Sequence, residues 1–258
     1  EIRSGTLHTG LLGNWQLAQP TQLQGDRTAL SIATTCLEQE HNRICASADY
    51  SEAEGVQLAA QSDSLDLKLL APWLPKTVQL AGRASADARL SGLPGNLDGA
   101  VNLALPAAVM TLATAEPEGT RVNFEGIRLN GDLSQQRLNL TGGGTIVGAG
   151  KADLALMLPI NDRDAELRGN IQISLDQLAW LDPLLTTVEE LKGRIDLGIT
   201  LSGTPRQPLL EGAADLSGLS AYLPDLGTRF NDGAVTLTPQ GTCHFYTTDA
   251  ADELPRGP

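Results

Sequence analysis

The chain has 258 residues, with 31 acidic against 18 basic side chains and a formal net charge of -13. That charge opposes a phosphate backbone and no lysine or arginine cluster offsets it, which argues against nucleic acid as a partner. Aromatic residues make up 3%, too few for the stacking platforms of single-strand binders or the girdles of an outer-membrane barrel.

The chain begins at Glu1 rather than methionine. No run approaches the roughly 18 apolar residues that span a bilayer, and no signal peptide is recognisable. The sequence therefore reads as part of a longer protein, with any anchor or targeting segment outside it.

The first element with a readable shape is "TTCLEQEHNRICAS" (34–47), which places Cys36 and Cys45 on either side of a polar connector. Cys-x8-Cys lacks the half-sites of a zinc centre, and a C-x-x-C redox motif is absent. If the segment is a hairpin, the register that opposes Leu37 to Ile44 also opposes Cys36 to Cys45, and a cross-strand disulfide becomes accessible. Closing a loop of about ten residues contributes roughly 2.5–3 kcal/mol in the chain-entropy picture. Such a staple implies an oxidising compartment. Cys243 is left over.

From there on, apolar and polar residues alternate, the mark of strands with one buried face. "SLDLKL" carries Leu65, Leu67 and Leu69; "DGAVNLAL" carries Val101, Leu103 and Leu105; "ADLALML" carries Leu154, Leu156 and Leu158. "NIQISL" continues with Ile171 and Ile173, "RIDLGITLSG" with Ile195, Leu197, Ile199 and Leu201, and "GAVTL" with Val235 and Leu237. Glycine, asparagine or proline separates most runs, as hairpin connections require. The expected fold is all-β and antiparallel.

Two segments break the alternation. "SLDLKLLAPWLP" (64–75) and "SLDQLAWLDPLL" (174–185) both begin Ser-Leu-Asp and turn apolar, with a tryptophan and prolines. Each is either a short helical turn capped by Ser64 or Asp66, and by Ser174 or Asp176, or a tryptophan-anchored loop over a sheet edge. In both cases it is a plug rather than a strand.

The stretches C-terminal to the two plugs repeat one another. Leu80, Gly82, Arg83, Leu90, Ser91, Gly92 and Pro94 match Leu191, Gly193, Arg194, Leu201, Ser202, Gly203 and Pro205 at a constant offset (191 − 80 = 111). After a two-residue insertion, "LDGAVNL" matches "LEGAADL". Units of this kind stack and share a core, so residues 1–240 are expected to form one continuous β-rich region, with related segments at 64–105 and 174–216. The stretch 241–258 fits neither pattern and is read as an atypical tail.

No constellation points to catalysis or to a cofactor. His8, His41 and His244 are scattered, without paired metal-ligand spacing. "GGGTIVGAGK" (142–151) misses the phosphate-loop spacing at Thr145 and Ala152 and reads as a hairpin turn. "GLSAY" (218–222) has Tyr222 where a nucleophile elbow closes with glycine. Glu189 and Glu190 read as solvated charge. The expectation is a protein that is not an enzyme.

The hairpin 34–47 and the phrase "LKGRIDLGITLSGTPRQPLLEGAADLSGLSAYLPDLGTRFNDGAVTLTPQG" (191–241) together resemble the TamB family, within the AsmA-like group. The likeness runs over residues 30–240 and stops at about Thr242. It implies a long antiparallel sheet curled into an open, taco-like trough with an aliphatic lining. Pattern alone accommodates a β-sandwich equally well; the resemblance favours the trough.

The resemblance also implies a periplasmic protein anchored in the inner membrane, reaching towards an outer-membrane barrel of the TamA type. It implies either carriage of phospholipids or assistance to nascent outer-membrane proteins, with a passive structural spacer as a further alternative. Under the first role the alternating aliphatic residues above would contact acyl chains. The scarcity of rings fits, because bulky aromatics would fill such a trough.

Overall fold

The structure, a computed structural model, describes residues 2–9, 13–93, 95–113, 119–185, 187–237 and 240–242. Among these, sixteen strands build one antiparallel sheet. They are β1 (Thr6–Thr9), β2 (Gly13–Leu17), β3 (Leu23–Gly25), β4 (Ala29–Gln39), β5 (Asn42–Ser51), β6 (Gly55–Asp66), β7 (Val78–Leu93) and β8 (Asn96–Leu112) in the first half. The second half holds β9 (Thr120–Ser134), β10 (Arg137–Ile146), β11 (Gly150–Pro159), β12 (Arg168–Leu175), β13 (Glu189–Thr204), β14 (Gln207–Leu223), β15 (Thr228–Leu237) and β16 (Gln240–Thr242).

Hydrogen-bonded order follows chain order from β1 to β15, except that β3 and β16 lie off the path, against β4 and β14. Among the described residues the sheet does not close: β1 and β3 lie at one edge, β15 and β16 at the other. Among the described residues no second sheet faces it, so the sandwich alternative is overturned. The molecule is a single curled layer, an open trough.

Strict alternation produces this layer because each residue's neighbours across the ladder share its face. Connections are short enough to keep successive strands adjacent. One of them, Gln135–Gln136 between β9 and β10, has both residues at positive φ (49° and 61°), the conformation whose twist suits a two-residue hairpin. Neither glycine nor asparagine marks this turn. Gln136 Nε2 secures it by donating to Gly95 O at 3.1 Å.

The long strands are interrupted by register shifts at Ser62/Leu65, Gly82/Ser85, Gly143/Thr145, Lys192/Arg194 and Leu216/Leu219. Such bulges bend a strand and strengthen its twist, and their recurrence across the sheet gives it curvature. Gly82 and Gly193 sit at two of them with φ of 148° and 145°, which a side chain rarely adopts.

Those two glycines are 111 residues apart, and so are the strands around them: β7 and β13 start at Val78 and Glu189, β8 and β14 at Asn96 and Gln207 (189 − 78 = 207 − 96 = 111). The paired strands are equal in length, 16 residues and 17 residues. The two-residue insertion expected between the copies is therefore absent. A slip of two preserves the face of every residue, which is why the sequences align either way.

Both plugs are 3-10 turns, Leu67–Trp73 and Ala179–Leu184. The first consumes Leu67 and Leu69, expected as strand positions; β6 ends at Asp66, whose carboxylate accepts the Lys68 N–H at 2.9 Å and caps the turn. Ser64 instead accepts from Arg83 at 2.8 Å. The second plug has no side-chain cap and starts later than Ser174 or Asp176 would place it. Trp73, the expected anchor of the first, is 53% exposed; Leu67 anchors it, packed on Ala84, Leu105 and Ala108.

The glycine run 142–144 is not a turn. It lies within β10, and the turn occupies only Val147–Ala149. A methyl group on Gly144 would come 2.7 Å from Ile127 Cγ1, so neighbouring side chains already fill the space. Gly241 and Thr242, expected in the tail, pair with Leu210 and Leu209 of β14. Residues 243–258, including Cys243 and His244, lie outside the described residues.

Two stability measurements test this layer. A Cβ on Gly169 would meet Leu156 Cδ2 at 2.5 Å and one on Gly131 would meet Val101 Cγ1 at 2.7 Å, whereas nothing lies within 4 Å at Gly198. Gly169→Val and Gly131→Val should each cost about 1–3 kcal/mol in urea unfolding, as overpacking does, and Gly198→Val should stay within about 0.5 kcal/mol. Replacing Cys36 and Cys45 by serine should cost roughly 2–3 kcal/mol, read as a lower urea midpoint.

Candidate functional site

The face that carries the aliphatic residues forms the candidate site. Register lines them up strand by strand. Leu103 pairs with Leu129, and further along the sheet Leu154 pairs with Ile171 and Ile171 with Ile199. A parallel row joins Val101, Gly131, Leu140, Leu156, Gly169 and Leu201. A third links Ile173 to Leu197, Leu197 to Ala214 and Ala214 to Leu237, and Ile195 reaches Val235 through Leu216. Leu158 sits opposite Leu138 on the same face.

Towards the N-terminal half this face forms an open cavity of about 830 Å³, lined from Ile2 and Thr21 through Leu23 on β3 to Leu138 on β10. Its walls are aliphatic, with Ile32, Leu37, Ile44, Leu58, Leu90 and Leu133 prominent. Arg89 also borders it, but it lies between Ala88 and Leu90, so alternation turns its side chain to the other face. Of the aliphatic residues expected to contact acyl chains, only Val101 lines this cavity.

The missed positions have a sequence signal that alanine dilutes: "ICASADY" alternates through Ile44, Ala46 and Ala48, and Leu58 is followed at the same face by Ala60. Small residues carry little hydrophobic contrast, so the period is hard to read there. Leu105 is in a different position from its neighbours. It is 8% exposed, covered by Leu67 of the first plug together with Ile127 and Phe124. Leu65 is half-buried where β6 meets that plug.

The trough is not filled by its own side chains. Among the described residues no large side chain is fully buried, and Leu58 and Val101 are 41% and 39% exposed. Apolar exposure aligned along one face, rather than scattered singly, marks a surface with a role.

Cys36 and Cys45 form a disulfide in the expected register, with Leu37 opposite Ile44. Because Leu37 and Ile44 face the cavity, the disulfide lies on the reverse face. It pins β4 to β5 without occupying the trough.

Polar features lie elsewhere. A recess of about 500 Å³ includes Asp26, Asp49 and Glu54, but its carboxylates are engaged: Asp26 accepts from the Thr28 and Ala29 amides, and Ser31 donates to Asp49 at 2.5 Å. His8 bonds Asn14 at 2.8 Å, and His41 is exposed at the β4–β5 turn.

Glu190 is not simply solvated. Arg229 grips it through two bonds of 2.6 and 3.0 Å, and the guanidinium lies 5.5 Å from the Tyr222 ring centroid. Those bonds tie β13 to β15 across β14 and hold the Glu190 carboxyl below its ordinary value.

The family model described as TamB, N-terminal domain, matches residues 1–216. The chain belongs to the TamB family. No solved structure matches it. The match begins ahead of the Cys36–Cys45 hairpin and ends within β14, so residues 217–241 of the phrase that carries the resemblance fall beyond it. TamB-family proteins are transport and assembly modules of the cell envelope, serving outer-membrane assembly or lipid transport. Among the described residues no helix is long and apolar enough to cross a membrane.

The Glu190–Arg229 pair yields a pH prediction. Because the folded carboxyl titrates below 4.5, its contribution is present above that value and fades as pH falls through the lowered one. Arg229→Gln should return the Glu190 carboxyl towards 4.5 in an NMR titration, with little loss of thermal stability because the pair is exposed.

Proposed function

We propose that the aliphatic face carries the acyl chains of phospholipids between the inner and outer membranes. The observation that supports this most directly is an apolar face running from β4 to β15 that no second sheet covers among the described residues. A chain of about 16 methylenes costs on the order of 13 kcal/mol to expose to water, at about 0.8 kcal/mol each. A route across an aqueous compartment must therefore stay apolar throughout. Rows of leucine, isoleucine and valine, spaced by glycine and alanine, supply contact without a tight specific pocket.

In this reading the charged headgroup stays in water, and the outward face with its exposed ion pairs remains solvated. The protein works in the periplasm, held to the inner membrane by a segment outside this chain, with a TamA-type barrel as its outer-membrane partner. No residue acts as a catalyst. A passive spacer is disfavoured, because a spacer gains from a filled core and, among the described residues, only the small cluster around Leu105 resembles one.

A second reading has its own support. β15 is a free edge among the described residues, and Phe230, Val235 and Leu237 on it are 55%, 45% and 62% exposed. An extended segment of a nascent outer-membrane protein can add to such an edge by backbone pairing.

Inward charge separates function from folding. Leu103→Arg and Ile199→Asp are expected to stop lipid supply to the outer membrane while the protein is still secreted and folded. If several such changes had no effect on that supply, the carrier reading would fail. Photo-reactive residues at Leu154 and Leu197 should capture phospholipid; capture of nascent outer-membrane protein instead would favour the edge-addition reading.

A further inference from the structure

The fold uses only one end of the first plug. A 3-10 turn has three residues per turn, so Leu67, Leu70 and Trp73 lie in one row along it. The row begins on the core, where Leu67 packs on Ala84, Leu105 and Ala108. It then leaves the core: Leu70 is 43% exposed and Trp73 53%. Pro72 and Pro75 flank the tryptophan and restrict the backbone around it, so little freedom is lost when the ring is engaged.

The charge around this tip is the reverse of the chain's. The whole sequence carries -13, yet from Leu67 to Ala86 it has Lys68, Lys76 and Arg83 and no acidic residue. Lys68 and Lys76 bracket the Leu70–Trp73 tip and are both exposed. Among the described residues neither lysine has an ion pair. Asp63 and Asp66 stand at the base of the plug, as does Glu40 on the β4–β5 turn, whose Asn42 Oδ1 accepts the Asp66 N–H at 2.7 Å. The Asp66 carboxylate is turned back on the Lys68 amide. Salt screens charge over about 8 Å, so a surface approaching the tip meets the two lysines rather than the net charge of the chain.

The second plug is a built-in control. The offset of 111 extends into it: Leu67, Leu70, Pro72 and Leu74 match Leu178, Leu181, Pro183 and Leu185. Ala179 and Thr187 stand in the places of Lys68 and Lys76. The matching stretch 178–197 holds Asp182, Glu189, Glu190 and Asp196 against Lys192 and Arg194. The two copies therefore share an apolar scaffold and differ in the sign of their charge, so the lysines of the first are no requirement of the turn itself.

We propose that the Lys68–Lys76 tip is a membrane-surface contact that docks on bilayers rich in anionic phospholipid. An indole ring is suited to the headgroup region, where its apolar body and N–H are both accommodated. Lysines beside it reach the lipid phosphates while their stems stay along apolar surface, and an anionic surface attracts them. The site does not depend on what the trough carries. Docking there sets the strand ends around the first plug against the headgroups.

The test is flotation of the full chain with vesicles of phosphatidylethanolamine and phosphatidylglycerol, and with vesicles of phosphatidylcholine alone. The chain should float with the first, less so at high salt, and poorly with the second. Lys68→Gln and Lys76→Gln should each weaken binding by about fivefold, and Trp73→Ala severalfold. Leu185→Ser on the second plug should have no effect. Leu103→Arg, which blocks the acyl path under the carrier reading, should also leave flotation unchanged, so the two ideas stand or fall separately. All these side chains except Leu103 are exposed, and unchanged urea midpoints verify that their variants fold. Equal binding to both kinds of vesicle, or binding that survives Lys68→Gln, Lys76→Gln and Trp73→Ala combined, overturns the proposal. So does a photo-reactive residue at Leu70 that captures an envelope protein in cells and no lipid.

Discussion

A sheet one layer thick must do something with its apolar face. Hydrophobic surface is stabilised by leaving water, and among the described residues no second sheet covers the rows that run through Leu103, Leu154 and Ile199. Internal cover comes from two short plugs, and one compact cluster, Leu105 with Ala84 and Ala108 under Leu67, resembles a conventional core. Curling reduces exposure without abolishing it. The rest of the architecture depends on keeping such a sheet curled, in register and open.

Register is maintained by several local devices. The disulfide pins β4 to β5 from the reverse face, and Gln135–Gln136 forms a tight connection secured by its own side chain. Glycines at Gly131, Gly144 and Gly169 lie where neighbouring Val101, Ile127 and Leu156 occupy the space a side chain would take. Crowding on a concave face is relieved in this way, and the lining becomes smooth rather than pitted. A surface without pits suits a ligand that slides.

The internal repeat gives the trough its period, and the two copies show how one motif serves two purposes. Gly82 and Gly193 bend their strands alike, and Arg83 and Arg194 each hold a residue just ahead of a plug. The plugs differ in what they touch: the first seals a small core with Leu67 on Ala84, Leu105 and Ala108, and the second is hydrogen-bonded to Ala149 and Leu191 at the ends of β10–β12. Similar sequence therefore serves two different sets of contacts.

Much of this was written in the local sequence. Alternation specifies strands because side chains fall on opposite faces every second residue, and the Cys36–Cys45 register comes from a hairpin centred between them. Where the pattern misled, longer-range contacts were responsible. Leu67 and Leu69 keep the alternation but are drawn into a 3-10 turn by Asp66 capping and by the cluster at Leu105. The run Gly142–Gly144 has turn composition but stays in a strand because Leu129 and Ile127 fill its gaps. The cavity walls at Ala46, Ala48 and Ala60 carry too little contrast to be read. The sequence by itself determined strand, face and order, which depend on neighbours along the chain and in the next hairpin. Only the tertiary structure decided curvature, where the cavity opens and what each plug packs on, because those depend on packing between strands that share no local signal.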